Sequence, residues 1–72
     1  MSTMPRDIEI RDDTIRLGQL LKLAGIADSG GEARALVETG EVTVNGEPEL
    51  RRGRQLRRGD VVATPVESVR IV

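Results

Sequence analysis

Apolar residues in this chain keep two different rhythms, and the change between them divides it. Leu17, Leu20, Leu21 and Ala24 recur at i, i+3, i+4 and i+7, the stripe of an amphipathic helix. Gly25 follows the stripe, where a left-handed helix stop is expected. Gly18, in the first turn, weakens this helix by about 1 kcal/mol relative to alanine. A second helix is predicted from Ser29 onward, because Ser29 and Glu32 form S-x-x-E. In that capping box the hydroxyl accepts one orphan N–H and the carboxylate reaches back to another. Ala33, Leu36 and Val37 form its buried stripe, and Gly40 closes it. The short Ile26–Asp28 link makes the pair a helical hairpin.

After Gly40 the period drops to two. Val42 and Val44 alternate with Glu41, Thr43 and Asn45, the pattern of a half-buried strand. Asn45-Gly46 is a tight-turn dipeptide, because both residues tolerate positive φ. Pro48 suits an edge or a turn. Leu50 and Leu56 stand as isolated apolar anchors, Gly59-Asp60 makes another turn, and two strands follow, Val61–Thr64 and Val69–Val72. Ahead of the helices, Ile8-Glu9-Ile10 reads as a short strand and Asp12-Asp13 as a turn. Residues 1–7 read as a flexible tail and 8–72 as a single domain. The expected core is Leu17, Leu20, Leu21, Ala24, Ala33, Leu36, Val37, Val42, Val44 and Val61. The order is β-α-α-β-β-β. Such segregation indicates an α+β fold, with a two-helix hairpin packed on a small antiparallel sheet.

Composition narrows the chemistry. The chain has 72 residues and neither cysteine nor histidine. Thiol nucleophiles, disulfides and Ser-His or Cys-His catalysis are therefore excluded. Only carboxylates remain for zinc, a poor structural set. Phe, Tyr and Trp are absent as well, which removes the platform on which most single-strand binders stack bases. No phosphate-loop motif is present and nothing in the pattern announces a cleft, so no enzyme is expected. No run approaches a membrane span of about 20 apolar residues. Met1 to Arg11 carries charge throughout without an apolar stretch, so no signal peptide is expected and a cytoplasmic location follows.

Net charge is −1 and names no partner, but the distribution does. Residues 1–50 hold five basic and ten acidic side chains, whereas 51–58 hold Arg51, Arg52, Arg54, Arg57 and Arg58 with no acid. Arginine's planar fork matches phosphate oxygens two at a time. The same run also reads as a solvated strand edge whose charges block aggregation. Arg16, Gln19 and Lys22 share one side of the first helix, away from the leucines. Arg34, on the second, has Glu38 at i+4, a pair worth about 0.3 kcal/mol. Gly30-Gly31 at a helix start presents N–H groups to an anion, unless Ser29 and Glu32 already use them.

From Arg16 to Val62 the chain resembles the RNA-binding domain named after ribosomal small-subunit protein four. The resemblance rests on Arg16-Leu17, Leu21, Gly25, Ser29, Ala33, Leu36-Val37 and Gly40, then on Val42-x-Val44-Asn45-Gly46 and Gly59-Asp60-Val61. The whole chain is similar to the small stand-alone bacterial version. The resemblance implies two helices on a small sheet, with the helical face and adjoining hairpin gripping structured RNA, ribosomal or transfer. It implies RNA contacts at Arg16, Ser29, Arg34 and Asn45. Lys22 lies on the same helical side, and Arg51, Arg52 and Arg54 fall in the basic hairpin. Two positions depart: many members carry Asp at Gly18 and a basic residue at Gly30, which removes one expected phosphate contact. Missing aromatics fit a module that reads shape and phosphates. The expectation is a non-catalytic monomer that binds RNA, with no cofactor, metal, membrane or small-molecule substrate. The rival is a protein-interaction module that keeps the shape without binding RNA.

Overall fold

The computed structural model describes residues 4–72; residues 1–3 of the expected tail lie outside the described residues. In chain order the elements are β1 (Arg6–Ile8), β2 (Thr14–Arg16), α1 (Leu17–Leu23), α2 (Gly30–Glu38), β3 (Thr43–Val44), β4 (Glu47–Pro48), β5 (Gln55–Arg57), β6 (Val61–Ala63) and β7 (Ser68–Ile71). Five strands form one sheet in the order β1-β7-β6-β3-β4, and β2 pairs with β5 in a separate ribbon. The α+β reading holds, with two helices and a mixed sheet. Every neighbouring pair is antiparallel except β1–β7, which is parallel. A parallel pair needs a long crossover, and here all the intervening chain supplies it.

The first strand begins at Arg6, inside the stretch expected to be tail. Arg6 is anchored there by its side chain. Its Nε donates to Glu67 Oε1 at 2.8 Å, and its Nη2 donates to the Ala24 carbonyl. The backbone pairing then continues past the strand, with Val72 N–H donating to Ile8 O at 2.9 Å.

Turn chemistry sets the other strands. Asn45 and Gly46 have φ of 52° and 86°, the two positive values of a tight hairpin turn that matches strand twist. That turn joins β3 to the edge strand β4, where Pro48 costs no ladder bond. The helical hairpin also ends as expected: Gly40 takes φ 81° just past α2, and its N–H donates to Val37 O.

Leu17, Leu20, Leu21, Ala24, Ala33, Val37, Val42 and Val44 are buried as the two periodicities require. They are joined by Ile8, Ile10, Ala27, Leu56, Val62, Val69 and Ile71. Two expected members differ. Leu36 is only half-buried at the rim, and Val61 is half-buried while Val62 is fully enclosed. The run Val61-Val62-Ala63 has no alternation to set its phase. Pairing of Val62 with Val44 and Val69 decides which valine faces inward. The apolar pattern does not predict the ribbon. Its strands read Thr-Ile-Arg and Gln-Leu-Arg, too short to stand out among charges, yet Leu56 is completely enclosed. Leu50, the other isolated apolar residue, is 63% exposed.

Candidate nucleic-acid interface

The turn from Arg51 to Arg54 lies against the start of α1. Arg54 N–H donates to Arg51 O and closes the turn. Two carbonyls of the turn then serve the helix. Leu17 N–H donates to Arg54 O at 2.9 Å, and Gly18 N–H donates to Arg52 O at 2.8 Å. These are first-turn N–H groups that no residue within the helix can satisfy. The approach does not depend on glycine: a β-carbon at Gly18 would sit 3.5 Å from Arg52 O and 3.6 Å from Arg52 Cβ, ordinary van der Waals contact.

A cleft of about 200 Å³ opens between the two helix starts and this turn. Arg16, Gln19 and Lys22 line it from the α1 side, Gly30 and Ala33 from α2, and Arg52 and Gly53 from the turn. Charge decides what the cleft can hold. Of the eleven basic side chains, five are in ion pairs: Arg6 with Glu67, Arg34 with Glu38, Arg51 and Arg54 with Glu49, and Arg58 with Asp13. Among the described residues the other six have no such partner, and Arg16, Lys22 and Arg52 in the cleft are half of them.

The start of α2 adds polar hydrogen. Ser29 Oγ accepts the Glu32 N–H at 3.2 Å, and Glu32 Oε2 accepts the Asp28 N–H at 3.2 Å. The cap thus uses neither Gly30 nor Gly31. No acceptor among the described residues takes their N–H groups, and Gly30 lines the cleft. Helix-start N–H groups carry partial positive charge and favour an anion. Ser29→Ala is expected to lower stability by about 1 kcal/mol. In thermal unfolding that corresponds to roughly 4–8 °C for a domain this size.

The remaining expected site residues fall elsewhere. Arg34 is one turn beyond Gly30 on the same side of α2 but is not among the residues that line the cleft, and its Nε donates to Glu38 Oε1 at 2.8 Å. Arg51 and Arg54 converge on Glu49, a carboxylate only 7% exposed. Glu49 Oε1 accepts from Arg54 Nη1 at 3.0 Å; Oε2 accepts from the Arg51 N–H at 3.1 Å and Arg51 Nε at 3.4 Å. The Arg54 bond first, then the Arg51 N–H, hold the Glu49 carboxyl down to about 2 against the opposing effect of burial. Asn45 braces two turns. Its Oδ1 accepts the Val61 N–H at 2.9 Å and its Nδ2 donates to Asp60 Oδ1 at 3.1 Å. Burial alone would raise the Asp60 carboxyl, but the Arg57 N–H and Asn45 bring it below its ordinary value. Gln19, Gly53 and Glu49 are additions to the expected site. Gln19 shares the polar side of α1 with Arg16 and Lys22, and that spacing is a signal pointing to it. Gly53 and Glu49 carry no such mark.

Known proteins share this architecture. The 30S ribosomal protein S4e from Thermoplasma acidophilum superposes with a TM-score of 0.65 at 26% identity, covering 86% of this chain and 33% of that one. In sequence, the chain is 51% identical over 59 residues to the "Probable ribosome maturation protein RlbA" of Bacillus subtilis, covering 82% of this chain and 83% of the relative. It is 34% identical over 58 residues to the "Putative RNA-binding protein YbcJ" of Escherichia coli, covering 81% and 83%. The family model described as S4 domain matches residues 8–72, all the helices and every strand but the start of β1. The chain belongs to the S4 domain family.

Proposed function

We propose that this protein binds structured RNA without catalysing a reaction, taking phosphates into the cleft between the helix starts and the 51–54 turn. One observation carries the reading. A chain of net charge −1 leaves six basic side chains unpaired among its described residues and gathers three of them beside open helix-start N–H groups. Arg16, Lys22 and Arg52 supply the charge-assisted contacts. The Gly30 and Gly31 N–H groups supply backbone contacts. Ser29 caps the helix that begins with Gly30, and Arg34, one turn further on, must exchange Glu38 for phosphate in order to join the site. Arg51, Arg54 and Asn45, with their side chains already engaged, act as the scaffold of the turns.

Ribosomal RNA stands ahead of transfer RNA as target. The Bacillus subtilis relative bears a ribosome-maturation name, and the structural neighbour is a ribosomal protein. A monomer acting in the cytoplasm belongs to the same reading. The test is binding of a ribosomal RNA fragment and of transfer RNA, followed by fluorescence anisotropy at a series of salt concentrations. Three phosphate contacts predict a log–log slope of roughly −2 to −3, at about −0.7 to −0.9 per contact. Binding that is absent at low salt, or indifferent to salt, would reject the reading and put the protein-interaction module in its place.

A further inference from the structure

We infer that Glu49 is the positioning residue of the cleft: its enclosed carboxylate holds the 51–54 turn so that Arg52 faces the phosphate. The inference rests on the RNA-binding reading above and assigns a task to a residue of the opposite charge.

Glu49 is the one buried charged residue among those described. It is itself well anchored, because its N–H donates to Val42 O at 3.0 Å and ties it to the β3 end of the sheet. From there its two carboxylate oxygens reach the first and last residues of the turn. One takes the Arg51 N–H and guanidinium, the other the Arg54 guanidinium. On its far side the turn offers the Arg52 and Arg54 carbonyls to the Gly18 and Leu17 N–H groups. The turn is therefore held between the sheet and α1. Arg52 and Gly53, between those anchors, are the residues it contributes to the cleft.

Electrostatics alone would argue against a carboxylate here. An anion close to a phosphate site repels the ligand, and this one also engages two arginines that would otherwise attract it. A long, flexible arginine loses affinity when its backbone wanders, since the ligand must then order it. A fixed turn removes that cost. Charge and geometry thus predict opposite signs when Glu49 is neutralised.

The experiment compares Glu49→Gln with the unaltered protein, using purified transfer RNA and a ribosomal RNA fragment as probes, well below the melting temperature. Glutamine is nearly the same shape and lacks the charge. The positioning role predicts affinity about three- to tenfold weaker and a salt slope shallower by about one contact, although the net charge has become more positive. In an Arg52→Ala background the Glu49→Gln effect should vanish, which a general loss of stability would not produce. Arg54→Lys provides a second variant. It keeps the charge but loses the planar fork, and it should weaken binding in the same way. If the unaltered protein binds while Glu49→Gln and Arg54→Lys bind equally well or more tightly, the positioning role is overturned and the RNA reading stands. If the unaltered protein binds neither RNA, both fall together.

Discussion

The triple variant Arg16→Ala, Lys22→Ala, Arg52→Ala is expected to lose about two orders of magnitude in RNA affinity at 0.1 M salt. Each neutralised phosphate contributes about 0.7–0.9 of a decade in affinity for every tenfold change in salt. Between 1 M and 0.1 M, three side chains that no longer neutralise phosphate therefore forgo roughly two decades. The salt slope should become shallower by about three phosphates, and the weakening should be similar for different structured RNAs, because phosphates carry no sequence. Stability should change little, since none of the three side chains is in an ion pair with another described residue. Arg70→Ala, which removes one positive charge outside the cleft lining, is the control. Arg70 pairs with Asp7 and Val61 in the sheet ladder, is exposed on its outer face and is not among the residues that line the cleft. Equal weakening by Arg70→Ala and by the triple variant would mean that net charge, not this cleft, drives binding.

Leu56→Ala is expected to destabilise the domain by about 2–5 kcal/mol, the range for a leucine removed from a close-packed interior. The whole stability of a domain this size is only on the order of 4–10 kcal/mol. A loss of that size lowers the melting temperature by roughly 10–30 °C, readable by circular dichroism during heating. The cost is large because Leu56 is entirely enclosed and is the inward residue of the ribbon strand opposite Ile15. Leu56 and the half-buried Ile15 are the residues by which the β2–β5 ribbon joins the hydrophobic core. Leu50→Ala provides the comparison: the same deletion at a residue 63% exposed should shift melting by only a few degrees. A Leu56→Ala protein that melts with Leu50→Ala would refute the placement of β5 against the core.

These two leucines show where the linear pattern stops being informative. Both sit alone among charges, and nothing local distinguishes them. One is enclosed because β5 pairs with β2, about 40 residues earlier by the register of Leu56 with Ile15. The arginines behave in the same way. Arg51, Arg52 and Arg54 look equivalent as a run. Glu49, two residues before Arg51, engages two of them and leaves the third for the cleft. Asn45 matches a position implied to contact RNA, yet its amide is used by Val61 and Asp60 across a gap of about 15 residues.

Short-range chemistry is what the linear chain makes legible. The helical hairpin follows from apolar spacing, the start of α2 from Ser29, and the tight β3–β4 turn from Asn45-Gly46. Those signals act within one or two turns of chain, so they can be read without a fold. The resemblance that points to the S4 domain is built from the same local marks. Folding in three dimensions settles the rest: the parallel β1–β7 pair, the inward face of Val62, the separate ribbon, and which cations remain unpaired. Each of these depends on partners far apart in the chain. Pairing between strands fixes register, and register selects the buried face. A charge is available to a ligand only if folding brings no opposite charge to it, and that is settled by proximity in space.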